Sequence, residues 1–332
     1  MALRICAQWA IMHQRERETE RERERERERG RERERRTIQI QLQATLNCCK
    51  FSVDIVIKLG GSAVTVKEKF ETLNKEGLTK ACRLLNECVK ARKRCIVVHG
   101  AGSFGHHQAR KYNVNKGFNN LSEVECEKVK EGFCLTRLSV TKLNHIIVEA
   151  LVEHGVKAVS ISPITGWMTS QREVTKYDIQ QIRALVTNGF VPVLHGDCVL
   201  DDFIGCCILS GDTIIKTICK EFDVKRVIFL SNVNGIYDRP PQQPGARHLG
   251  CIETDTHGSI TSDIQTFCDQ SYDVTGGIKL KIETCIDIVK NFVFVNEIVI
   301  CNVDSDLAVL GSVCMSSDLE PSSYYTIVKL KR

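Results

Sequence analysis

The chain of 332 residues sets 46 Lys and Arg against 41 Asp and Glu, and its 42% hydrophobic and 26% charged residues are ordinary for a globular protein. Residues 1–50 hold 13 of the basic and 9 of the acidic residues, so most of the net +5 lies there and the near-neutral remainder excludes a nucleic-acid footprint. No apolar run approaches the roughly 20 residues of a membrane span, and Met1–His13 turns into dense charge rather than a signal peptide, so a cytoplasmic protein with no membrane partner is expected.

Residues 15–36 are a nearly pure Arg-Glu alternation. In a helix this repeat puts like charges at i,i+4 and opposite ones at i,i+3, and it offers no apolar face. Residues 1–50 are therefore expected to be a disordered low-complexity tail, with residues 51–332 forming one α/β unit. The 17 cysteines are odd in number, irregularly spaced and without any C-x-x-C, and Cys82, Cys88, Cys95 and Cys219 sit inside apolar patterns. Free buried thiols are expected, not disulfides or zinc.

Ser52–Ile57 reads as a strand that ends in the glycine turn Lys58-Leu59-Gly60-Gly61-Ser62. Helical periodicity follows over Lys69–Arg92, then the strand Cys95–Val98 and the loop His99-Gly100-Ala101-Gly102-Ser103-Phe104-Gly105-His106-His107, with a helix opening at Gln108. Two glycine turns at strand ends let backbone N–H groups approach a ligand, and a helix N-terminus behind them suits an anion such as phosphate. A turn that merely packs tightly would look similar.

Ser122 and Glu125 form a capping box that opens a long helix, and Gly155 stops it. Its apolar stripe is Val129, Phe133, Leu138, Leu143, Ile146, Ile147 and Leu151; most of this is core, and its first half could wall an apolar pocket. There follow a strand at Ala158–Ile161, a turn at Pro163–Gly166, a helix around Asp178–Thr187 and the strand Val191–Leu194, which exits through His195-Gly196-Asp197. A hairpin over Cys198–Leu209 delivers Ser210-Gly211-Asp212 to a helix running to about Glu221. Strand Arg226–Leu230, a loop over Arg239–Leu249, a helix after Asp273–Gly277, and strands at Glu297–Cys301 and Tyr324–Leu330 complete the chain. Alternating strands and helices predict a mainly parallel central sheet covered on both faces, a three-layer αβα sandwich, with the hairpin and the final strand as antiparallel additions.

Lys58–Ser62, His99–Ser103, Ser210–Asp212, Asn234-Gly235-Ile236-Tyr237-Asp238 and Thr275-Gly276-Gly277 with Lys281 occur in the order of the amino acid kinase superfamily, which the chain resembles over about residues 52–332. Within it the chain is most similar to isopentenyl phosphate kinase, whose mark is a histidine at the position of His106, with Lys58 and Lys67 also matching. Ala101 stands where a glycine is common and Ile278 where a methionine is common, and the Arg-Glu tail has no counterpart.

This resemblance implies ATP-dependent phosphorylation of isopentenyl phosphate to isopentenyl diphosphate by a Mg²⁺-using homodimer. It implies that Lys58, Lys67 and His106 act on the reacting phosphates. Lys58, Gly60, Gly61, Ser62, Gly102, Asp212, Gly277 and Lys281 would hold the nucleotide, and Ala101, His106 and Gly196 the acceptor. No metal-ligating side chains are assigned; Asp201 and Asp202 read as turn residues, because adjacent carboxylates rarely converge on one ion. Each lysine could instead be a solvated surface charge, and His106 could cap the following helix, a role that suits His107 better. The rival functions are a related kinase for a carboxylate, carbamate or nucleoside monophosphate, and a non-catalytic ligand sensor or scaffold.

Overall fold

The computed structural model describes residues 51–239, 243–258, 277–316 and 318–331, with 277–280 as backbone only. The chain divides into two units at Lys50/Phe51, and the first, with its Arg-Glu alternation, lies outside the described residues. In the second the order is β1 (Phe51–Leu59), α1 (Gly61–Val64), α2 (Lys75–Lys90), β2 (Cys95–His99), α3 (Gly102–Lys111) and α4 (Glu123–Glu153). Then come β3 (Ala158–Ser160), β4 (Met168–Ser170), β5 (Glu173–Lys176), α5 (Gln180–Thr187), β6 (Val191–His195), β7 (Asp197–Asp201), β8 (Gly205–Leu209) and α6 (Gly211–Glu221). The rest are β9 (Phe222–Ser231), β10 (Ile236–Tyr237), β11 (His248–Leu249), β12 (Cys251–Thr254), α7 (Gly277–Asn291), β13 (Glu297–Asn302), α8 (Leu307–Met315) and β14 (Tyr325–Leu330).

Eight strands form the main sheet in the order β12-β14-β13-β9-β1-β2-β6-β3. All its pairings are parallel except β13 with β14, so the final strand is antiparallel on one side and parallel to β12 on the other. Side chains alternate between the faces of each strand, and both faces are apolar. One face sets Val53, Val56, Val98 and Phe229 against Ile182 of α5, Ile214 and Ile218 of α6, and Ile288 of α7. The other sets Ile57, Leu59, Val97 and Val299 against Leu85 of α2, Phe104 of α3, Leu143 and Ile147 of α4, and Leu310 of α8. The result is the expected three-layer sandwich.

The β7–β8 hairpin leaves the main sheet and joins a four-stranded sheet in the order β5-β4-β7-β8. Its tip is held by Asp201, whose carboxylate accepts from the backbone N–H of Gln171, Arg172, Phe203 and Ile204 and from Thr169 Oγ1. Burial alone would raise its pKa, but these donors hold it at about 2. Asp201 is thus a turn residue, as its sequence predicts. Cys82, Cys88 and Cys95 are buried free thiols, and among the described residues no helix is long and apolar enough to cross a membrane.

Three expectations are corrected. The helix predicted from Lys69 begins at Lys75, because Asn74 caps it through the Gly77 N–H and residues 66–73 are tied back by a Thr65–Leu73 bridge. The helix predicted from Gln108 begins at Gly102, so His106 and His107 lie within it rather than in a loop, and neither caps it. Leu138 of the predicted apolar stripe is 70% exposed, since 31 residues at 3.6 per turn drift off any single face.

A chain that starts at Phe51, the first residue of β1, is expected to fold with the same cooperative unfolding midpoint as the full-length protein. Circular dichroism melts of the two check this, and loss of soluble protein would place structural residues before Phe51.

Candidate active site

The carboxyl ends of β1, β2, β6 and β9 lie side by side, with Leu59 opposite His99 and Leu230, and His99 opposite His195. Open parallel sheets bind ligands outside this edge. The turns leaving it are packed backbone to backbone. A Cβ on Gly61 would sit 2.6 Å from Gly102 Cα, and one on Gly102, whose φ is +50°, would sit 2.2 Å from Thr65 Oγ1. No other residue fits either position.

That contact brings helix N-termini together. α1 starts at Gly61 and α3 at Gly102, neither with a side-chain cap, and α6 starts at Gly211, whose added Cβ would lie 3.4 Å from Val98 Cγ1 and 3.6 Å from Lys58 Cε. Each start carries partial positive charge and N–H groups without intrahelical acceptors. Helix starts gathered in this way, with the start of α6 beside Lys58, suit an anion.

The lysines are arranged around it. Lys58 Nζ is ion-paired with Asp212 of α6 and lies 5.3 Å from the centroid of the Phe229 ring. Lys281 Nζ donates to Ser231 Oγ at 3.3 Å, and burial, reinforced by Lys58, lowers its pKa from the ordinary lysine value. Ser62 Oγ donates to Asn232 Oδ1 at 3.1 Å. Gly277 is the first residue of α7, while Thr275 and Gly276 of the same motif lie outside the described residues.

Lys67 is exposed on the loop between α1 and α2, beside α3. His107 Nε2 donates to the Lys67 carbonyl at 3.3 Å and its ring meets Phe70 edge-on at 5.8 Å. His106 is exposed at the rim, yet crowding by the protein behind its ring lowers its pKa, and the charges of Lys67, Arg110 and His107 lower it further. Ligand-free, this corner resists another positive charge; a phosphate dianion would reverse that.

Beneath the turns lie two buried histidines with rings stacked at 5.5 Å. His99 Nδ1 donates to Gly100 O at 3.0 Å and His195 Nδ1 to Gly196 O at 3.1 Å. Asn144 Nδ2 donates to His99 Nε2 at 3.1 Å, which fixes the proton on Nδ1. Burial and the facing His195 push the pKa of His99 down to about 3, so the pair is neutral and structural. The Gly196 N–H already donates to His99 O at 3.0 Å, so Gly196 offers close approach and not a free donor. Ala101 adjoins Gly102 and lies near Gly196, whose added Cβ would be 4.0 Å from Ala101 N.

Two groups escape sequence reasoning. Arg137 of α4 is ion-paired with the fully buried Asp197 carboxylate and donates to Ser162 Oγ at 3.3 Å. A cation inside an otherwise apolar stripe was the available signal. Glu71 accepts from Ser139 Oγ at 2.7 Å and Lys142 Nζ at 2.5 Å, and nothing in its local sequence marks it.

Phe133 is half-buried in a small cluster with Val114, Val129, Cys198 and Cys206, between α3, α4 and the β7–β8 hairpin.

A family model described as the amino acid kinase family matches residues 55–302. The chain is 35% identical to an isopentenyl phosphate kinase of Arabidopsis thaliana, over 72% of this chain and 85% of that protein. It is also 35% identical to an isopentenyl phosphate kinase of Methanothermobacter thermautotrophicus, over 69% and 84% respectively. A crystal structure of isopentenyl phosphate kinase superposes with a TM-score of 0.67 at 28% identity, covering 83% of this chain and 99% of that one.

His106 is expected to titrate below 6.5 in the free protein and to move upward when inorganic phosphate saturates the site. Imidazole NMR with a His106→Gln control checks this; a pKa at or above 6.5 that phosphate leaves unmoved would contradict the geometry.

Proposed function

This chain belongs to the amino acid kinase family and, within it, to the isopentenyl phosphate kinases, and from that premise we propose how its residues transfer the γ-phosphoryl group of ATP to isopentenyl phosphate. The product is isopentenyl diphosphate, a precursor in isoprenoid biosynthesis.

An oxygen of the acceptor phosphate attacks the γ-phosphorus, the bond from that phosphorus to the β,γ-bridging oxygen breaks, and ADP leaves with the electron pair. The attacking oxygen is already ionised near neutral pH, so no general base is needed. Two polyanions must be brought together in line, and positioning and charge neutralisation are the whole task. The observation that carries the reading is the convergence of the α1, α3 and α6 N-termini on Lys58, with Lys67 and His106 at one rim.

Gly61, Ser62 and Gly102 offer backbone donors to the nucleotide phosphates, Gly60, whose N–H donates to Leu230 O at 2.9 Å, offers close approach only, and Lys58 and Lys281 bring charge from below. Asp212 holds Lys58 in place. Lys67 reaches the transferring group from its loop, where its charge is most useful as the phosphoryl leaves ADP. His106 and the Ala101–Gly102 turn receive the acceptor phosphate, and its hydrocarbon tail lies along Phe133. Among the described residues no three His, Cys, Asp or Glu side chains gather as a metal cage, an arrangement that fits Mg²⁺ held mainly by phosphate oxygens. Mg²⁺ bound with the nucleotide would screen the β- and γ-phosphate charge.

Purified protein is expected to consume ATP with isopentenyl phosphate and not with UMP or N-acetylglutamate. Lys67→Ala should cost about 2.7–4 kcal/mol of barrier lowering, mainly in kcat. Near-normal turnover would make Lys67 a surface charge.

Phosphate recognition and tail recognition should separate on mutation. His106→Ala is expected to weaken isopentenyl, dimethylallyl and geranyl phosphate alike. Phe133→Ala should favour the longer chains, each newly buried methylene contributing about 0.8 kcal/mol. Unchanged kinetics of His106→Ala on all three would refute the phosphate clamp, and a Phe133→Ala enzyme with unaltered chain preference would remove Phe133 from the tail pocket.

A further inference from the structure

The loop that carries Lys67 is exposed, yet its catalytic use requires a fixed position. Inside the loop, Val66 N donates to Thr72 O at 2.9 Å and Lys69 N to Val66 O at 3.1 Å. These bonds shape it but do not dock it. Docking to α3 comes from His107 on the Lys67 carbonyl and from the pair Thr72 N to Ser103 Oγ and Ser103 Oγ to Thr72 O, each 3.3 Å. These bonds are long and therefore weak.

Docking to α4 is different. Glu71 places one carboxylate oxygen on Ser139 Oγ at 2.7 Å and the other on Lys142 Nζ at 2.5 Å. Ser139 is 3% exposed, so this is a charge-assisted bond to a buried hydroxyl. Glu71 also has a φ of +47°, a left-handed conformation unusual for a residue with a side chain. Such conformations persist where the surroundings impose them, and they cluster where geometry matters to function. Here the imposing groups are Ser139 and Lys142 on one side and Ser103 O, which accepts from Glu71 N at 3.4 Å, on the other.

α4 is also the helix that meets the acceptor. Phe133 lies between one and two turns before Ser139 on it and Arg137 about half a turn before, and Val140 beside Ser139 packs against Gly105 of α3. We propose that Glu71 is a positioning residue, a latch that fixes the Lys67 loop to the helix walling the acceptor, so that Lys67 meets the transferring phosphoryl group in register with the bound tail. The proposal rests on the kinase reading above. Glu71 touches no substrate; it acts through Lys67. Its carboxylate is kept ionised by Lys142 and Ser139 against the opposing effect of burial, which keeps both arms engaged at neutral pH.

The test is a double-mutant cycle with Lys67, read by steady-state kinetics and by amide exchange of residues 66–72. Glu71→Ala is expected to lower kcat by roughly tenfold to a hundredfold, the cost of a small misplacement, while leaving KM for ATP unchanged. Glu71→Gln keeps the Ser139 bond and should fall between wild type and Glu71→Ala. In the Lys67→Ala background Glu71→Ala should cost nothing more, because it acts through the missing ammonium. Amide exchange of the Val66 and Lys69 N–H groups should quicken in Glu71→Ala even if isopentenyl phosphate is not the acceptor, so failure of the latch and failure of the function reading remain distinct. Losses that multiply in the double variant, or unchanged exchange with unchanged kcat, would overturn the proposal. If Glu71→Ala does not fold, Ser139→Ala with Lys142→Ala removes the same two bonds from the other side and decides the same cycle.

Discussion

The contact between Gly61 and Gly102 is the constraint on which the site depends. Two strand-to-helix turns meet there backbone against backbone, and any Cβ would push them apart. The meeting brings the starts of α1 and α3 together beside the start of α6, where partial charges that are modest singly can act together. Lys58, Lys281 and Lys67 add full charges, and His106 stands beside them at the rim. Loss of solvent first, and the neighbouring cations second, lower the pKa of Lys281 and of His106. Such preorganised charge speeds phosphoryl transfer because no dipole has to turn when the anion arrives.

The turns need support from below. His99 and His195, neutral and stacked at the ends of adjacent strands, each hold the carbonyl of the glycine that follows. α4 gathers these supports along its length. Asn144 fixes His99, Arg137 meets Asp197 just after the Gly196 turn, and Ser139 and Lys142 hold Glu71. Leu143, Ile147 and Leu151 of the same helix are fully buried in the core. A helix committed to the core on one face can therefore set the geometry of three separate turns on another.

Much of this was legible in the sequence, and the limits have physical causes. β-branched runs ending in glycine gave the central strands and the turns, and Ser122, Glu125 and Gly155 gave both ends of α4, because caps are local chemistry. The start of α3 was misplaced because Gly102, Ser103 and Gly105 are poor helix formers; tertiary contact with α1 and with Thr65 Oγ1 holds them helical. The start of α2 was misplaced because Phe70 and Leu73 continue an apolar spacing that the chain uses for a turn. Strands β4 and β5 escaped because three or four residues are too few to show a period. Lys58, Lys281 and the glycines stand in motifs whose order the sequence displays. Glu71 and Arg137 did not, since their partners lie 60 or more residues away and only the fold brings them together.

The central claim is that the converging cations are held for an anion at a cost to the free protein. Lys281 tests it most directly, because it is half-buried near Lys58 and bonded to Ser231. The measurement is the thermal midpoint of Lys281→Met and of the unaltered chain, each with and without a saturating ATP analogue. The account predicts that Lys281→Met leaves the free protein as stable or more stable and loses much of the rise that the nucleotide gives. A free protein clearly less stable, with the nucleotide-induced rise intact, would contradict it.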